Sequence, residues 1–267
     1  MSARVRETWA RRQAEGGRAL IPFVTAGFPR RSATIEILRA AADAGCDLIE
    51  LGVPFSDPLA DGPAIQHTSQ VAISRGVTLP WILSCVAKAR RHVDVPIVLM
   101  GYYNPFYSYG LERFCRDAAA AGVDGLIVPD LPPDESADLR RAAGAHDLSL
   151  VFLIAPTTTD ARVRAVARAS TDFCYCVSVT GVTGARRAFA AHTDIYLRRV
   201  RRLIRKPVVV GFGVSTPAHV RRLGRWANGV VVGSALVPVL EQAGSNRGLA
   251  RGLRRFLKPL VQAAHDL

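Results

Sequence analysis

Glu50 lies in Leu48-Ile49-Glu50-Leu51-Gly52, a short apolar run that reads as a buried strand. At the two-residue period of a strand, Leu48 and Glu50 face one side and Ile49 and Leu51 the other. A carboxylate in such a setting is costly unless it is paired, neutralised or used. The loop that follows, residues 53–63, carries Asp57 and Asp61. A strand-end acid followed by a loop acid is the arrangement by which a barrel enzyme offers proton-transfer groups to a substrate. Asp57 before Pro58 also suits a plain turn, and Asp61 a helix cap. For Glu50 the plain alternative is a buried ion pair, but no neighbouring strand supplies an inward lysine or arginine.

The elements that must position these acids alternate strand and helix along the chain. Eight strands are expected, at residues 21–25, 47–52, 97–101, 125–128, 150–154, 173–177, 208–211 and 229–232. Helical patterns cover 32–44, 80–92, 111–121, 134–145, 161–169, 217–223 and 235–241 between them. Ser32, Asp160 and Thr216 are N-cap candidates, and Pro217 suits a first helical position. Gly45 and Gly122 sit where a left-handed residue ends a helix. Residues 41–49 and 118–126 nearly repeat each other as helix end, Gly, apolar residue, Asp and strand. Recurrent units of this kind argue for a parallel sheet with helical crossovers. Eight of them in 267 residues favour an α/β fold closed as a (β/α)8 barrel over residues 1–267, one domain, with an extra N-terminal helix over residues 1–17 and a final helix over 246–265. An open sheet is the alternative, but the turn after the first strand, Ala26-Gly27-Phe28-Pro29, is not a dinucleotide fingerprint.

Bulk properties narrow the function. No apolar run approaches the ~20 residues of a membrane span, and the first 17 residues lack a signal-peptide core, so the expectation is a cytoplasmic protein with no membrane partner. Five cysteines without a CxxC pair read as buried apolar residues. Cys174 and Cys176 should turn away from Tyr175, towards covering helices. The formal net charge of +13 raises nucleic acid as a partner. The arginines fall as scattered doublets on amphipathic stretches, however, which reads as solvated helix faces, and no nucleic-acid partner is expected.

The strand ends also supply an anion site. Gly184, Gly213 and Gly233 follow the sixth, seventh and eighth strands, and Ser234 adds a hydroxyl at the start of a helical run. Glycines permit close backbone approach, and this location is the usual phosphate site of the architecture. The stretch 181–184, continuing to 191, is glycine-bounded and reads as a long connection suited to a lid.

Several segments together resemble the tryptophan synthase α subunit family: Leu51-Gly52-Val53-Pro54-Phe55-Ser56-Asp57-Pro58-Leu59-Ala60-Asp61-Gly62-Pro63, Ile21-Pro22-Phe23-Val24-Thr25-Ala26-Gly27, Gly101-Tyr102-Tyr103-Asn104-Pro105, Pro129-Asp130-Leu131-Pro132, Ser178-Val179-Thr180-Gly181-Val182-Thr183-Gly184 and Gly211-Phe212-Gly213-Val214. The likeness runs from about residue 21 to 240. It implies a lyase that cleaves indole-3-glycerol phosphate to indole and glyceraldehyde 3-phosphate, with no metal and no organic cofactor of its own. Glu50 then matches the proton-shuttling acid and Asp61 the acid facing the indole N–H. Phe23, Met100, Ile127, Tyr175 and Phe212 match the pocket wall. Gly184, Gly213, Gly233 and Ser234 match the phosphate cradle, and Thr183 the lid. The resemblance further implies a β-subunit partner carrying pyridoxal phosphate, in an α2β2 complex, facing residues 54–58 and 130–132. A lyase working alone and a non-catalytic activating subunit are the alternatives.

Overall fold

The computed structural model describes residues 1–177, 186–211 and 213–267, with backbone alone over 186–191. Among the described residues nine parallel strands are present: β1 Ala19–Thr25, β2 Ile49–Gly52, β3 Ile97–Met100, β4 Gly125–Ile127, β5 Ser149–Val151, β6 Leu153–Ile154, β7 Cys174–Val177, β8 Val208–Gly211 and β9 Gly229–Val232. Twelve α-helices accompany them among the described residues: α1 Ala3–Ala14, α2 Thr34–Asp43, α3 Pro63–Ser74, α4 Leu79–Ala89, α5 Tyr103–Tyr109, α6 Leu111–Ala121, α7 Ala137–Ala145, α8 Asp160–Ala169, α9 Arg186–Leu203, α10 Pro217–Gly224, α11 Val237–Glu241 and α12 Asn246–His265. The strands pair in the order β5-β4-β3-β2-β1-β9-β8-β7-β6. The ends of that order, β5 and β6, are halves of the single strand expected at 150–154. They are separated by Phe152, whose N–H donates to Ser170 Oγ at 3.1 Å and whose carbonyl accepts from Tyr175 N–H at 3.2 Å. One residue thus turns the sheet from β4 on one side to β7 on the other and closes the barrel.

Alternation of side chains sorts the core into two layers. Leu48, Val98, Ile127, Val151, Tyr175, Val209 and Val231 fill the barrel, and Trp9 of α1 plugs its base with its ring 5.4 Å from Phe173. Ile49, Leu51, Cys174, Cys176 and the apolar helix faces form the outer layer. Both cysteines therefore point away from Tyr175, and all five thiols are free and buried. On α9, Leu197 and Val200 are buried while Arg198, Arg201 and Arg202 are exposed, as a solvated basic face requires. No single helix among the described residues is long and apolar enough to cross a membrane.

Several local expectations are corrected. Ser32 lies inside a short 3-10 turn, and α2 starts only at Thr34. Thr159, rather than Asp160, caps α8, accepting from Arg162 N–H. The run after β9 is divided into a 3-10 turn, Ser234–Leu236, and the five-residue α11. α9 begins at Arg186, so residues 186–191 are helical and not part of a long connection. Helices α3 and α5 had no counterpart in the periodicity. Thr216 caps α10 as expected, and Gly45 and Gly122 both take φ +90° as C-terminal stops.

The repeated Gly-x-Asp unit has a further role at the barrel base. Asp47 donates its N–H to the Leu20 carbonyl (3.0 Å) and accepts the Leu20 N–H on its carboxylate (3.0 Å). Asp124 does the same with Ile97 (2.8 and 2.9 Å), Thr171 with Leu150 (3.0 and 2.9 Å) and Asn228 with Val208 (2.7 and 3.0 Å). Four side chains thus satisfy an N–H in the first or second residue of four strands, Leu20, Ile97, Leu150 and Val208. Asp47 also meets Arg11 (3.3 Å), Arg12 (3.2 Å) and His265 (2.9 Å), tying both chain ends to the barrel. Asp124 meets Arg4 at 3.2 Å and pairs with the half-buried Arg90.

Removing these clamps tests their weight. Asn228→Ala should cost about 1–3 kcal/mol, the loss of hydrogen bonds to a buried N–H. Asp124→Ala should cost about 3–5 kcal/mol, because Arg90 is also left without its carboxylate. Urea unfolding at fixed pH reads both, and losses below about 0.5 kcal/mol in each would reject the clamp as a stabilising device.

Candidate active site

The C-terminal ends of the strands converge at one mouth. Glu50 is fully buried on β2, in register with Phe23 of β1 and Val98 of β3. Neither of its oxygens has a hydrogen-bond partner among the described residues, and it takes part in no ion pair there. Burial therefore pushes its pKa from the ordinary 4.5 up to about 8, opposed in part by the Tyr175 hydroxyl from just outside hydrogen-bond geometry. Glu50 thus holds a proton at neutral pH, the condition for a general acid.

Asp61 sits in the loop between β2 and α3. It does not cap α3, whose N-cap Gly62 receives no side-chain bond. Its carboxylate instead accepts from the Tyr102 hydroxyl at 3.3 Å, and that hydroxyl accepts from Ala60 N–H at 2.8 Å. Tyr102, stacked on Phe55 at 5.1 Å, therefore holds both ends of a short loop segment. Burial raises the Asp61 pKa, and the Tyr102 hydrogen bond opposes it. Across the barrel, the Tyr175 hydroxyl is pushed well above its usual range by burial, then by Glu50, and further by Asp61. Phe23, in register beside Glu50, lines the same cavity as Asp61, which places both acids at one opening. Asp57, by contrast, is exposed and is held by Ser56.

Phe23, Met100, Asp61 and Tyr102 line one cavity, with Ile65 and Ser69 of α3 and Pro129 after β4. Its volume is about 10 Å³, close to that of one water, so an aromatic ligand enters only when the walls part. Ile127 is fully buried beside Met100 in register and does not reach that cavity. Two glycines make room for the pocket aromatics. A Cβ at Gly211 would stand 2.5 Å from the Tyr175 hydroxyl oxygen, and one at Gly52 2.7 Å from Phe23 Cζ.

The anion set lies at the adjoining rim. Gly213 follows β8 with φ +43°, which a glycine adopts without strain. Gly233 follows β9 with φ −122° and ψ −87°, outside both the extended and the helical regions, and a Cβ there would make an ordinary 3.5 Å contact with Phe23 Cβ. Ser234 beside it is exposed. Phe23 thus adjoins both Glu50 and the anion rim. Thr183, Gly184 and Phe212, and with them the lid at 181–184, lie outside the described residues.

Tyr102, Gly52, Gly211 and the α3 residues were not singled out from the sequence. Tyr102 had a usable signal, since it directly follows the third strand. The α3 residues had none, because Pro63–Ser74 carries only a weak apolar stripe.

Comparison with known proteins decides the assignment. A family model described as tryptophan synthase alpha chain matches residues 9–264. The chain belongs to the tryptophan synthase alpha chain family. The tryptophan synthase alpha chain of Roseiflexus sp. (strain RS-1) is 50% identical over 252 residues, 94% of this chain and 97% of that one. The alpha chain of Chloroflexus aggregans is 47% identical over 261 residues, 97% of each chain. Among solved structures, tryptophan synthase subunit alpha from Legionella pneumophila str. Paris superposes with a TM-score of 0.90 at 31% identity, covering both chains fully. A tryptophan synthase structure from Mycobacterium tuberculosis gives 0.89 at 37% identity over 99% of both. As an alpha chain this is a lyase of the indole-glycerol phosphate cleaving type, serving tryptophan biosynthesis. The family implies a β-chain partner.

The burial of Glu50 has a measurable cost. The folded chain keeps this proton up to about pH 8, whereas the unfolded chain releases it near 4.5. Between those values the folded state binds more protons, so this group makes stability fall as pH rises. Glu50→Gln removes the titration. The variant should gain about 1–3 kcal/mol over the parent at pH 8 and almost nothing at pH 4. Denaturant melts at both pH values check this, and a gain independent of pH would contradict the buried, proton-bearing acid.

Proposed function

We propose that Glu50 and Asp61 are the acid–base pair that cleaves indole-3-glycerol phosphate into indole and glyceraldehyde 3-phosphate. The observation that carries this reading is a fully buried Glu50, its pKa pushed up to about 8, on the strand beside Phe23, which shares a cavity with Asp61. Glu50 delivers its proton to indole C3. The C3 to side-chain carbon bond then breaks, its electrons return to the indole ring, and the adjoining hydroxyl becomes the aldehyde. Glu50 takes up the hydroxyl proton, so the proton count balances. Asp61 accepts from the indole N–H and offsets the positive charge that protonation at C3 creates. Tyr102 acts by positioning Asp61.

Phe23 and Met100 hold the indole ring, with Tyr175 and Phe212 adding to the wall and Ile127 backing Met100 from outside the cavity. Gly184, Gly213, Gly233 and Ser234 hold the phosphate, and Thr183 belongs to the lid. Phosphate binding at the rim supplies remote binding energy to open the narrow cavity and orient the ring. The chain works as one barrel domain over residues 1–267, and it needs no metal or organic cofactor for this step.

The partner reading is an α2β2 complex in which the β subunit carries pyridoxal phosphate and consumes indole. Its support is the apolar surface beside the mouth. Leu59 is 93% exposed and Tyr107 64% exposed, near the stacked Phe55 and the Asp130 carboxylate that accepts from Tyr103 N–H at 2.9 Å. Large apolar side chains left in solvent beside a site are characteristic of docking surfaces.

Three outcomes test these readings. In an indole-release assay, Glu50→Gln should lower kcat by about 10³-fold or more, and Asp61→Asn by about 10²-fold. Turnover of Glu50→Gln at the parent rate would remove the shuttle. The parent kcat should fall above pH 8 as Glu50 loses its proton. Added β subunit should activate the parent, and Tyr107→Glu should reduce that activation about tenfold, equivalent to ~1.4 kcal/mol of docking energy. Equal activation of both would move the docking surface elsewhere.

A further inference from the structure

Helix α3 turns one face towards the active-site cavity, through Ile65 and, four residues on, Ser69. The hydroxyls of this helix are otherwise spent on the fold. That of Thr68 lies 2.6 Å from the Thr25 hydroxyl of β1 and donates to the Ile65 carbonyl at 2.8 Å. Ser74 donates to the carbonyl three residues back, at 2.9 Å. Ser69 does neither. It is only 4% exposed, yet its hydroxyl has no hydrogen-bond partner among the described residues. A buried hydroxyl without a partner is destabilising, and alanine suits a helix interior better. Folding therefore gives no reason for a serine here. Asp61 lines the same cavity. Its Oδ2 accepts from the Tyr102 hydroxyl at 3.3 Å. Its Oδ1 accepts no hydrogen bond, and the carboxylate meets no cation, among the described residues.

We propose that Ser69 is a positioning residue of the lyase reaction, its hydroxyl anchoring Asp61 Oδ1 through one water held between them. This rests on the reading of Asp61 as the acid that meets the indole N–H. The cavity, about 10 Å³, has the volume for one water and offers it three polar neighbours, Ser69, Asp61 and Tyr102, where an internal water needs two to four. The bridge serves the chemistry. Asp61 acts as an anion, and burial opposes its charge. Each hydrogen bond donated to a carboxylate favours the charged form. Tyr102 supplies one from the end of β3, and Ser69 supplies a second from α3 through the water. The other titratable groups around the loop supply none. Tyr175 of β7 senses the Asp61 charge without bonding to it, and Glu50 of β2 does not line this cavity. His67 of α3 faces Glu241 of α11 at 2.9 Å. Asp57 is held by Ser56, and Asp130 accepts from Tyr103 N–H.

The test is the pH profile of kcat/KM for indole release from indole-3-glycerol phosphate, measured on the full chain as parent, Ser69→Ala, Asp61→Asn and the double variant. Ser69→Ala should move the acid limb up by about 0.5 pH unit or more, which lowers kcat/KM on that limb at least about threefold. The alkaline limb, set by Glu50, should stay where it is. With Asp61→Asn no carboxylate remains to be anchored, so adding Ser69→Ala should change kcat/KM by less than about twofold. His67 and the substrate phosphate are common to all four proteins, so their titrations cancel in the comparison. Serine and alanine differ by one hydroxyl, and the urea midpoint of Ser69→Ala should equal or exceed that of the parent. The proposal is overturned if the acid limb of Ser69→Ala does not move, if both limbs move together, if the loss is the same in the Asp61→Asn background, or if the urea midpoint falls. An unmoved limb together with a damaged Asp61→Asn removes the role of Ser69 alone. Parent-like turnover by Asp61→Asn removes the role of Asp61 and this proposal with it.

Discussion

A single carboxylic acid held inside an apolar parallel barrel is the constraint on which the rest of this structure depends. Among the described residues Glu50 meets no cation and no hydrogen-bond donor in good geometry, so its charge is what the surroundings oppose. Much of the mouth answers to that choice. Phe23 lies in register beside it, and Tyr175 reaches towards it across the barrel. Gly211 lacks the Cβ that would collide with the Tyr175 hydroxyl. A more polar lining would lower the pKa and remove the proton that the lyase chemistry transfers.

The base of the same barrel treats acids in the opposite way. Asp47 and Asp124 are as buried as Glu50, yet each accepts a strand N–H and faces arginines. Those contacts give each carboxylate partners on both oxygens and make the acids structural. The separation follows the direction of parallel strands. N–H groups at the strand starts, which need acceptors, collect at the base, and variable loops collect at the top. The +13 charge belongs to neither end in particular, because its arginines lie on outer helix faces, several of them in local ion pairs.

Legibility from sequence varied with the range of the forces involved. Glycine stops at Gly45 and Gly122, the cap at Thr216 and the alternation around Glu50 depend on neighbours one to four residues away, and each was readable. The break at Phe152 was not, because it arises from the demand that a sheet close upon itself, which acts between strands distant in sequence. α5 escaped notice because it is seven residues long, and α3 because its apolar stripe is weak. Thr159 and Asp160 are both competent caps by type, and only the backbone at Thr159, extended at φ −66° and ψ 159°, distinguishes them.

By itself the sequence determined a parallel α/β barrel, the strand that carries Glu50, the loop that carries Asp61, and the family to which those motifs point. Such features are local patterns of residue type and period. Tertiary structure alone decided that Phe23 joins Glu50 to the Asp61 cavity, that Tyr102 holds the Asp61 loop, and that Asp124 and Asn228 clamp strands while Glu50 has no partner among the described residues. These are electrostatic and steric relations between residues far apart in the chain, and a carboxylate becomes a structural anchor or a proton donor only through what the fold places next to it.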